Sequence, residues 1–209
     1  MKTKIFLLIV FIFIGFNSIV LAQYDLLEVK KIDTTIVLDI RYATTNNFTG
    51  KQVYDEARFF LRTEAAKKLL EVQKELQSFG LGLKIFDGYR PLSVQKKFWE
   101  IMPDERYVAD PKKGSRHNRG AAVDLTLVDK NGNEIPMPTP YDDFTEKASR
   151  NYMDLSAQVI INRKFLEDIM TKYGFTGMPT EWWHFDFNGW EKYDIMDVNF
   201  KDLDKANNK

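Results

Sequence analysis

The only two histidines in this 209-residue chain, His117 and His184, lie in distant motifs, and a fold that uses them together must bring those motifs into contact. The first motif is Ser115-Arg116-His117-Asn118-Arg119-Gly120-Ala121-Ala122-Val123-Asp124, and the second is Glu181-Trp182-Trp183-His184. Each histidine therefore has a carboxylate close by. Two imidazoles and one carboxylate can hold a zinc ion with a fourth position open, leaving a further carboxylate as general base. His117, Asp124, Glu181 and His184 are the four candidates, and spacing alone does not divide the roles among them. The chain has no cysteine, so disulfides, thiolate ligands and cysteine nucleophiles are excluded together, and a transition-metal site must draw on His, Asp and Glu.

The length suits one domain with a substantial core. Basic and acidic residues balance at 30 each, which removes the electrostatic case for a nucleic-acid partner. The cations between Lys112 and Arg119 lack interleaved aromatics and read as a solvated loop. At the N-terminus, Lys2 and Lys4 precede the almost wholly apolar run 5–14, and Val20-Leu21-Ala22 ends in a small residue. This reads as an export signal, 1–22, cleaved after Ala22, leaving 23–209 as the domain in the periplasm or secreted, with no stable membrane association. The bland alternative is a retained anchor, since 5–22 approaches spanning length. No cysteine is present to carry a lipid.

Along the chain, the β-branched and apolar run 34–42 predicts a strand. Leu69, Val72, Leu76 and Phe79 predict one buried stripe on a helix over 63–79, with Thr63 as N-cap, Glu64 in the first turn and Gly80 as the stop. A short strand over 83–86 leads to Asp87-Gly88-Tyr89-Arg90-Pro91, and Pro91 suits the start of a helix over 92–101 with Val94, Phe98 and Ile101 on one face. Residues 103–116 read as a surface loop. In the strand 121–128, alternation puts Val123, Leu125 and Leu127 on one face, opposite Ala122, Asp124 and Thr126. Asn131-Gly132 marks a turn, and the proline-bearing stretch 134–152 a long loop of the kind kept for function. A helix over 155–173, an aromatic strand over 181–187 and a frayed charged tail beyond 197 complete the pattern. Together these predict a single α+β domain with a mostly antiparallel central sheet and flanking helices.

The chemistry raises specific demands. An unpaired carboxylate at Asp124, on an otherwise apolar strand, would be costly unless a metal or an arginine relieved it. Glu181 and His184, three apart, face opposite sides of a regular strand, so serving one metal requires a bend or bulge near Trp182-Trp183. The alternative leaves both tryptophans as core and Glu181 as a solvated edge residue. Arg90 suits a developing oxyanion or, equally, a structural ion pair with Asp87. Ser115 and Tyr42 could hydrogen-bond a substrate.

Taken together, Ser-x-His-x-x-Gly-x-Ala-x-Asp followed by Glu-x-Trp-His resembles the zinc D-Ala-specific peptidases of cell-wall metabolism. Arg41-Tyr42-Ala43-Thr44 with Asn47-Phe48-Thr49-Gly50-Lys51, Asp87-Gly88-Tyr89-Arg90-Pro91 and the doubled Trp182-Trp183 narrow the likeness to the D-alanyl-D-alanine dipeptidases, over about residues 25–190. The resemblance implies that family's fold, one zinc per chain held by His117, Asp124 and His184, Glu181 as catalytic base, and Arg90 at the oxyanion. It also implies that Tyr42, Asp87, Ser115 and Asp142 shape a small pocket or hold the substrate's amino end. The implied substrate is a small D,D-dipeptide. Two rival readings are a carboxypeptidase trimming longer wall peptides and a non-catalytic wall-binding module with a structural zinc. The export signal departs from the cytoplasmic resistance enzymes of this family and points to turnover of wall-derived dipeptides.

Overall fold

The computed structural model describes residues 24–207, so the expected export segment 1–22 lies outside it. The elements in chain order are β1 (Leu26–Glu28), β2 (Val37–Leu38), β3 (Phe60–Arg62), α1 (Thr63–Ser78), β4 (Leu81–Asp87), α2 (Leu92–Ile101), β5 (Ala122–Asp129), α3 (Ala157–Lys172), β6 (Phe175–Gly177), β7 (His184–Phe187) and α4 (Phe200–Asn207). Five strands form one sheet in the order β2-β4-β5-β7-β6, parallel only between β2 and β4 and antiparallel elsewhere. Strands β1 and β3 pair separately. The domain is α+β with a mostly antiparallel sheet, as the pattern predicts. Among the described residues no helix is long and apolar enough to cross a membrane.

Helix α1 forms where the apolar stripe places it, with Leu69, Val72 and Leu76 fully buried. It lies against β3 and β4, while α3 lies against β6 and meets α1. Two terminal details differ from expectation. The helix N-cap is Arg62 rather than Thr63, with no side-chain cap, because β3 runs directly into α1. Phe79 is 58% exposed, since the helix ends one residue earlier and the stripe no longer faces the core. Ile101 likewise projects from the end of α2 at 43% exposure.

The predicted strand 34–42 is only two residues long. After Leu38 the chain turns into a short 3-10 helix, Arg41–Ala43, which drives the Tyr42 ring inward. Strand β5 is buried on both faces because it is the middle strand of the sheet, so its polar alternate face, including Asp124 and Thr126, is covered too. The expected strand 181–187 begins only at His184. Within the tail expected to fray, residues 200–207 form α4: Phe200 and Leu203 are buried, and the Phe200 ring packs on Phe60, Tyr54 and Tyr89.

Candidate active site

Three neighbouring strands line up the site. On β5 and β7, Asp124 is the direct cross-strand partner of His184, so both side chains project from the same face. On the other side, β4 pairs Ile85 with Leu125 but Asp87 with Asp124, so a bulge at Phe86 inserts one extra residue. That single residue inverts the side-chain phase and turns Asp87 toward the face that carries Asp124. His117 enters from the loop before β5, on a 3-10 turn (His117–Arg119) closed by Gly120 at φ +68°. A side chain at Gly120 would be strained by that φ and would meet Leu26 Cδ2 at 2.7 Å.

The donor atoms converge. His117 Nε2, His184 Nδ1 and Asp124 Oδ1 are mutually separated by 3.2, 3.0 and 3.4 Å. Tetrahedral zinc with Zn–N and Zn–O bonds near 2.0–2.1 Å would hold its ligand atoms roughly 3.3 Å apart. Every other polar atom of these three groups is already engaged. His117 Nδ1 donates to the Gly88 carbonyl at 2.8 Å, His184 Nε2 donates to Asp186 Oδ1 at 2.9 Å, and Asp124 Oδ2 accepts from the Tyr141 hydroxyl at 2.9 Å. A carbonyl and a carboxylate can only accept, so each imidazole donates from its outer nitrogen, and as a metal ligand each would turn its inner lone pair toward the other donors. Two lone pairs and a carboxylate oxygen then point at one spot, an arrangement that requires a cation. The residues fit zinc.

Electrostatics tell the same story. Burial alone would push the His184 imidazole down, but its bonds to Asp124 and Asp186 outweigh burial and raise it to about 10. Burial also works against the Asp124 carboxylate, yet the two histidines hold it far below the usual range.

Around the donors lies a cavity of about 160 Å³ lined by Tyr42, Arg90, Ser115, Asp142, Glu181 and Trp183, among others. Glu181 Oε2 stands 4.0 Å from His184 Nδ1, and its side chain is 18% exposed. Burial pushes its carboxyl above the usual range, against the pull of His184. The bend demanded by the spacing is present, because Glu181 belongs to a loop outside β7 and only His184 is in the strand. Both tryptophans are nonetheless core residues, with Trp182 Nε1 bonded to Thr139 Oγ1, while Trp183 also forms cavity wall.

Arg90 makes the ion pair with Asp87, through Nε at 3.1 Å and Nη2 at 2.6 Å, and Nη1 donates to Gln95 at 2.8 Å. Of its five N–H groups these engage three. Phe98 and Tyr42 flank the guanidinium, which also lines the cavity. Asp87, expected against substrate, instead stands behind Arg90: it is fully buried, accepts from Tyr54 as well, and does not line the cavity. At the far wall, Asp142 accepts from the Tyr42 hydroxyl at 3.1 Å and from the Phe48 amide at 3.4 Å. Burial, with Asp124's charge, raises its carboxyl to about 7. Ser115 lies at the rim and accepts from the His117 amide at 3.2 Å. Sequence reasoning assigns no orienting role to Gly88, Tyr141 or Asp186, although Gly88 stands inside the Asp87–Pro91 motif and Tyr141 precedes Asp142. Asp186 carried the one available signal, lying two residues beyond His184 on the same strand face.

The chain matches the model of a family described as D-Ala-D-Ala dipeptidase over residues 22–202. It is 35% identical to a D-alanyl-D-alanine dipeptidase of Escherichia coli K12, covering 84% of this chain and 91% of that one. With a D-alanyl-D-alanine dipeptidase of Enterococcus faecium the identity is 33%, over 70% of this chain and 83% of the other. A bifunctional D-Ala-D-Ala dipeptidase and carboxypeptidase of Enterococcus gallinarum is 28% identical, over 62% of this chain and 68% of its own.

Proposed function

The chain belongs to the D-Ala-D-Ala dipeptidase family, and on that footing we propose that it is a zinc-dependent dipeptidase that hydrolyses D-alanyl-D-alanine and similar D,D-dipeptides. The observation that carries this reading is the convergence of three otherwise satisfied donor groups, His117, Asp124 and His184, on one wall of a cavity of about 160 Å³ that also holds Glu181 and Asp142. Relatives 35% and 33% identical to this chain are D-alanyl-D-alanine dipeptidases, which favours the dipeptidase over a carboxypeptidase acting on longer wall peptides.

His117, Asp124 and His184 would hold the zinc, which supplies Lewis acidity and brings the pKa of a water toward about 7. Glu181 takes the proton from the attacking water and delivers it to the amide nitrogen as the C–N bond breaks, so that the second D-alanine leaves as a free amine. Its raised carboxyl suits both halves of that transfer. Arg90, braced by Asp87 and Gln95, presents its remaining N–H groups to the oxyanion that develops on the carbonyl. Asp142, with Tyr42 beside it, receives the substrate's ammonium group, and Ser115 bonds the peptide at the rim. The apolar start of the chain supports export, and with it turnover of wall-derived dipeptides outside the cytoplasm. Recovery of the enzyme only from the cytosolic fraction with Met1 retained would overturn that part.

The decisive experiment measures metal content and D-Ala-D-Ala hydrolysis for the wild type and Glu181→Ala. About one zinc is expected in both, with hydrolysis only in the wild type. Full activity in Glu181→Ala would sink the reading. An N-acylated tripeptide ending in D-Ala-D-Ala should be cleaved poorly, and fast cleavage would reassign the enzyme to the carboxypeptidases.

A further inference from the structure

Glu181 and His184 can act at one point only if the segment joining them is held in a closed loop, and its local sequence does little to hold it. The loop runs from Met178 to His184. Its ends are tied by the Met178 amide, which donates to the His184 carbonyl at 3.1 Å, and within it the Glu181 amide reaches the Met178 carbonyl at a long 3.4 Å. Residues 178–183 lie in no helix or strand. Beyond the loop's own bonds, Trp182 and Trp183 are held from outside by the Ala148 carbonyl, which accepts from the Trp182 amide at 3.0 Å, and by the Leu125 amide, which donates to the Trp183 carbonyl at 3.1 Å.

The group that ties the loop's first residue to its last is Arg150, in the long loop before α3. Its Nε donates to the Met178 carbonyl and its Nη2 to the His184 carbonyl, both at 2.8 Å. Its own backbone amide donates to Pro179 at 2.9 Å. One planar guanidinium therefore bridges the first and last residues of the loop, a task that suits its rigid fork. The side chain is nearly buried and stacks over the Phe185 ring at 4.3 Å. Glu167, at 3.9 Å, is the carboxylate recorded closest to it. The fit depends on Gly177: a Cβ there would stand 2.3 Å from Arg150 Cζ and 2.4 Å from Nε. Gly177 has no positive φ, so its lack of a side chain is explained by the room the guanidinium needs.

We infer that Arg150, seated on Gly177, is a positioning residue for the reaction: it clamps the two ends of the 178–184 loop and so fixes Glu181 relative to His184. It touches neither the cavity nor the donor atoms. This inference rests on the roles proposed above for Glu181 and His184.

The test compares Arg150→Met, Gly177→Ala and Leu166→Ala, the last removing a buried core side chain of α3 that has no part in the loop. Each is assayed at a temperature where circular dichroism shows it folded, for kcat and KM on D-Ala-D-Ala and for zinc affinity by chelator competition. Displacing a catalytic group by about 1 Å costs on the order of 100-fold in rate, and loss of an outer-shell partner costs roughly 10–100-fold in metal affinity. Arg150→Met and Gly177→Ala should therefore lose kcat on that scale with KM little changed, and should bind zinc more weakly. Leu166→Ala should lose thermal stability while keeping wild-type kcat and zinc affinity. Gly177→Ala keeps the arginine and evicts only its guanidinium, so it decides the matter should Arg150→Met fail to fold. Wild-type kcat and zinc affinity in folded Gly177→Ala would overturn the inference. An inactive wild type would instead sink the dipeptidase reading, while the zinc affinities would still judge the clamp.

Discussion

At the residue scale, the proposed metal site is determined as much by what the donors' outer atoms bond as by the donors themselves. Asp186 illustrates this. It sets the His184 tautomer so that Nδ1 faces the other two donors, and Arg116 stands 3.6 Å behind it. Asp186→Ala is expected to weaken zinc binding by roughly 10–100-fold, read by chelator competition, and unchanged affinity would show that His184 needs no such support. Asp142 makes a different point, because its position costs stability. Its carboxyl is raised to about 7 in the fold, whereas an unfolded aspartate titrates near 3.9. Between those values the folded state keeps a proton that the unfolded state releases, so this residue's contribution to stability falls as pH rises from about 4 to 7. In metal-free protein, Asp142→Asn should raise the melting temperature at pH 8 but hardly at pH 4, while kcat/KM of the zinc-loaded enzyme falls. A melting temperature that does not rise at pH 8 would refute the cost assigned to Asp142. The trade is of the kind expected where a binding group is kept in an unfavourable place.

At the scale of elements, two irregularities position the site. The bulge at Phe86 turns the end of β4 so that Asp87 faces the side of Asp124, and Asp87 in turn fixes Arg90. The chain then passes so close to β3 that a Cβ at Gly88 would lie 2.4 Å from the Phe59 ring and 2.9 Å from the Phe60 carbonyl. Its own carbonyl holds His117. Gly88→Ala must push back a packed ring and a backbone oxygen, and overpacking of this kind costs about 1–3 kcal/mol. A lower denaturation midpoint with loosened zinc is the expected result, and wild-type stability would contradict the close approach. The second irregularity, the 178–184 loop, follows from the spacing requirement on Glu181 and His184. That requirement could be read from sequence, but the arginine that meets it could not, since Arg150 lies more than twenty-five positions away.

For the whole molecule, the last helix ties the periphery to the centre. Phe200 packs on Tyr54, Tyr54 donates to Asp87, and Asp87 holds Arg90. Phe200→Ala removes a buried ring from that chain of contacts and should cost about 3–5 kcal/mol, seen as a drop in the denaturation midpoint. A change near zero would mean that α4 frays in solution, as its charged composition had suggested. The charged composition of the tail hides this helix because Phe200 and Leu203 are sparse among charges, and the burial of Phe200 depends on Tyr54, Phe60 and Tyr89, far away in the chain.

Local pattern in the chain supplies the ingredients and much of the local structure. The two histidine motifs, their carboxylates and Arg90 are legible as residues, and Asp142 follows only from the family resemblance. Helices α1, α2 and α3 and strand β5 follow from periodicity, turn residues and stops, which act over a few positions. The short strands β1, β3 and β6, too brief to carry a period, escaped notice, and the strand expected at 34–42 shrank to two residues. The register that places Asp124 beside His184, the bulge that re-aims Asp87, and the outer bonds from Gly88, Tyr141 and Asp186 come from the assembled fold. Each of these depends on groups that meet across strands or loops far apart in the chain. Local pattern specifies which face a side chain takes; only packing specifies what it faces.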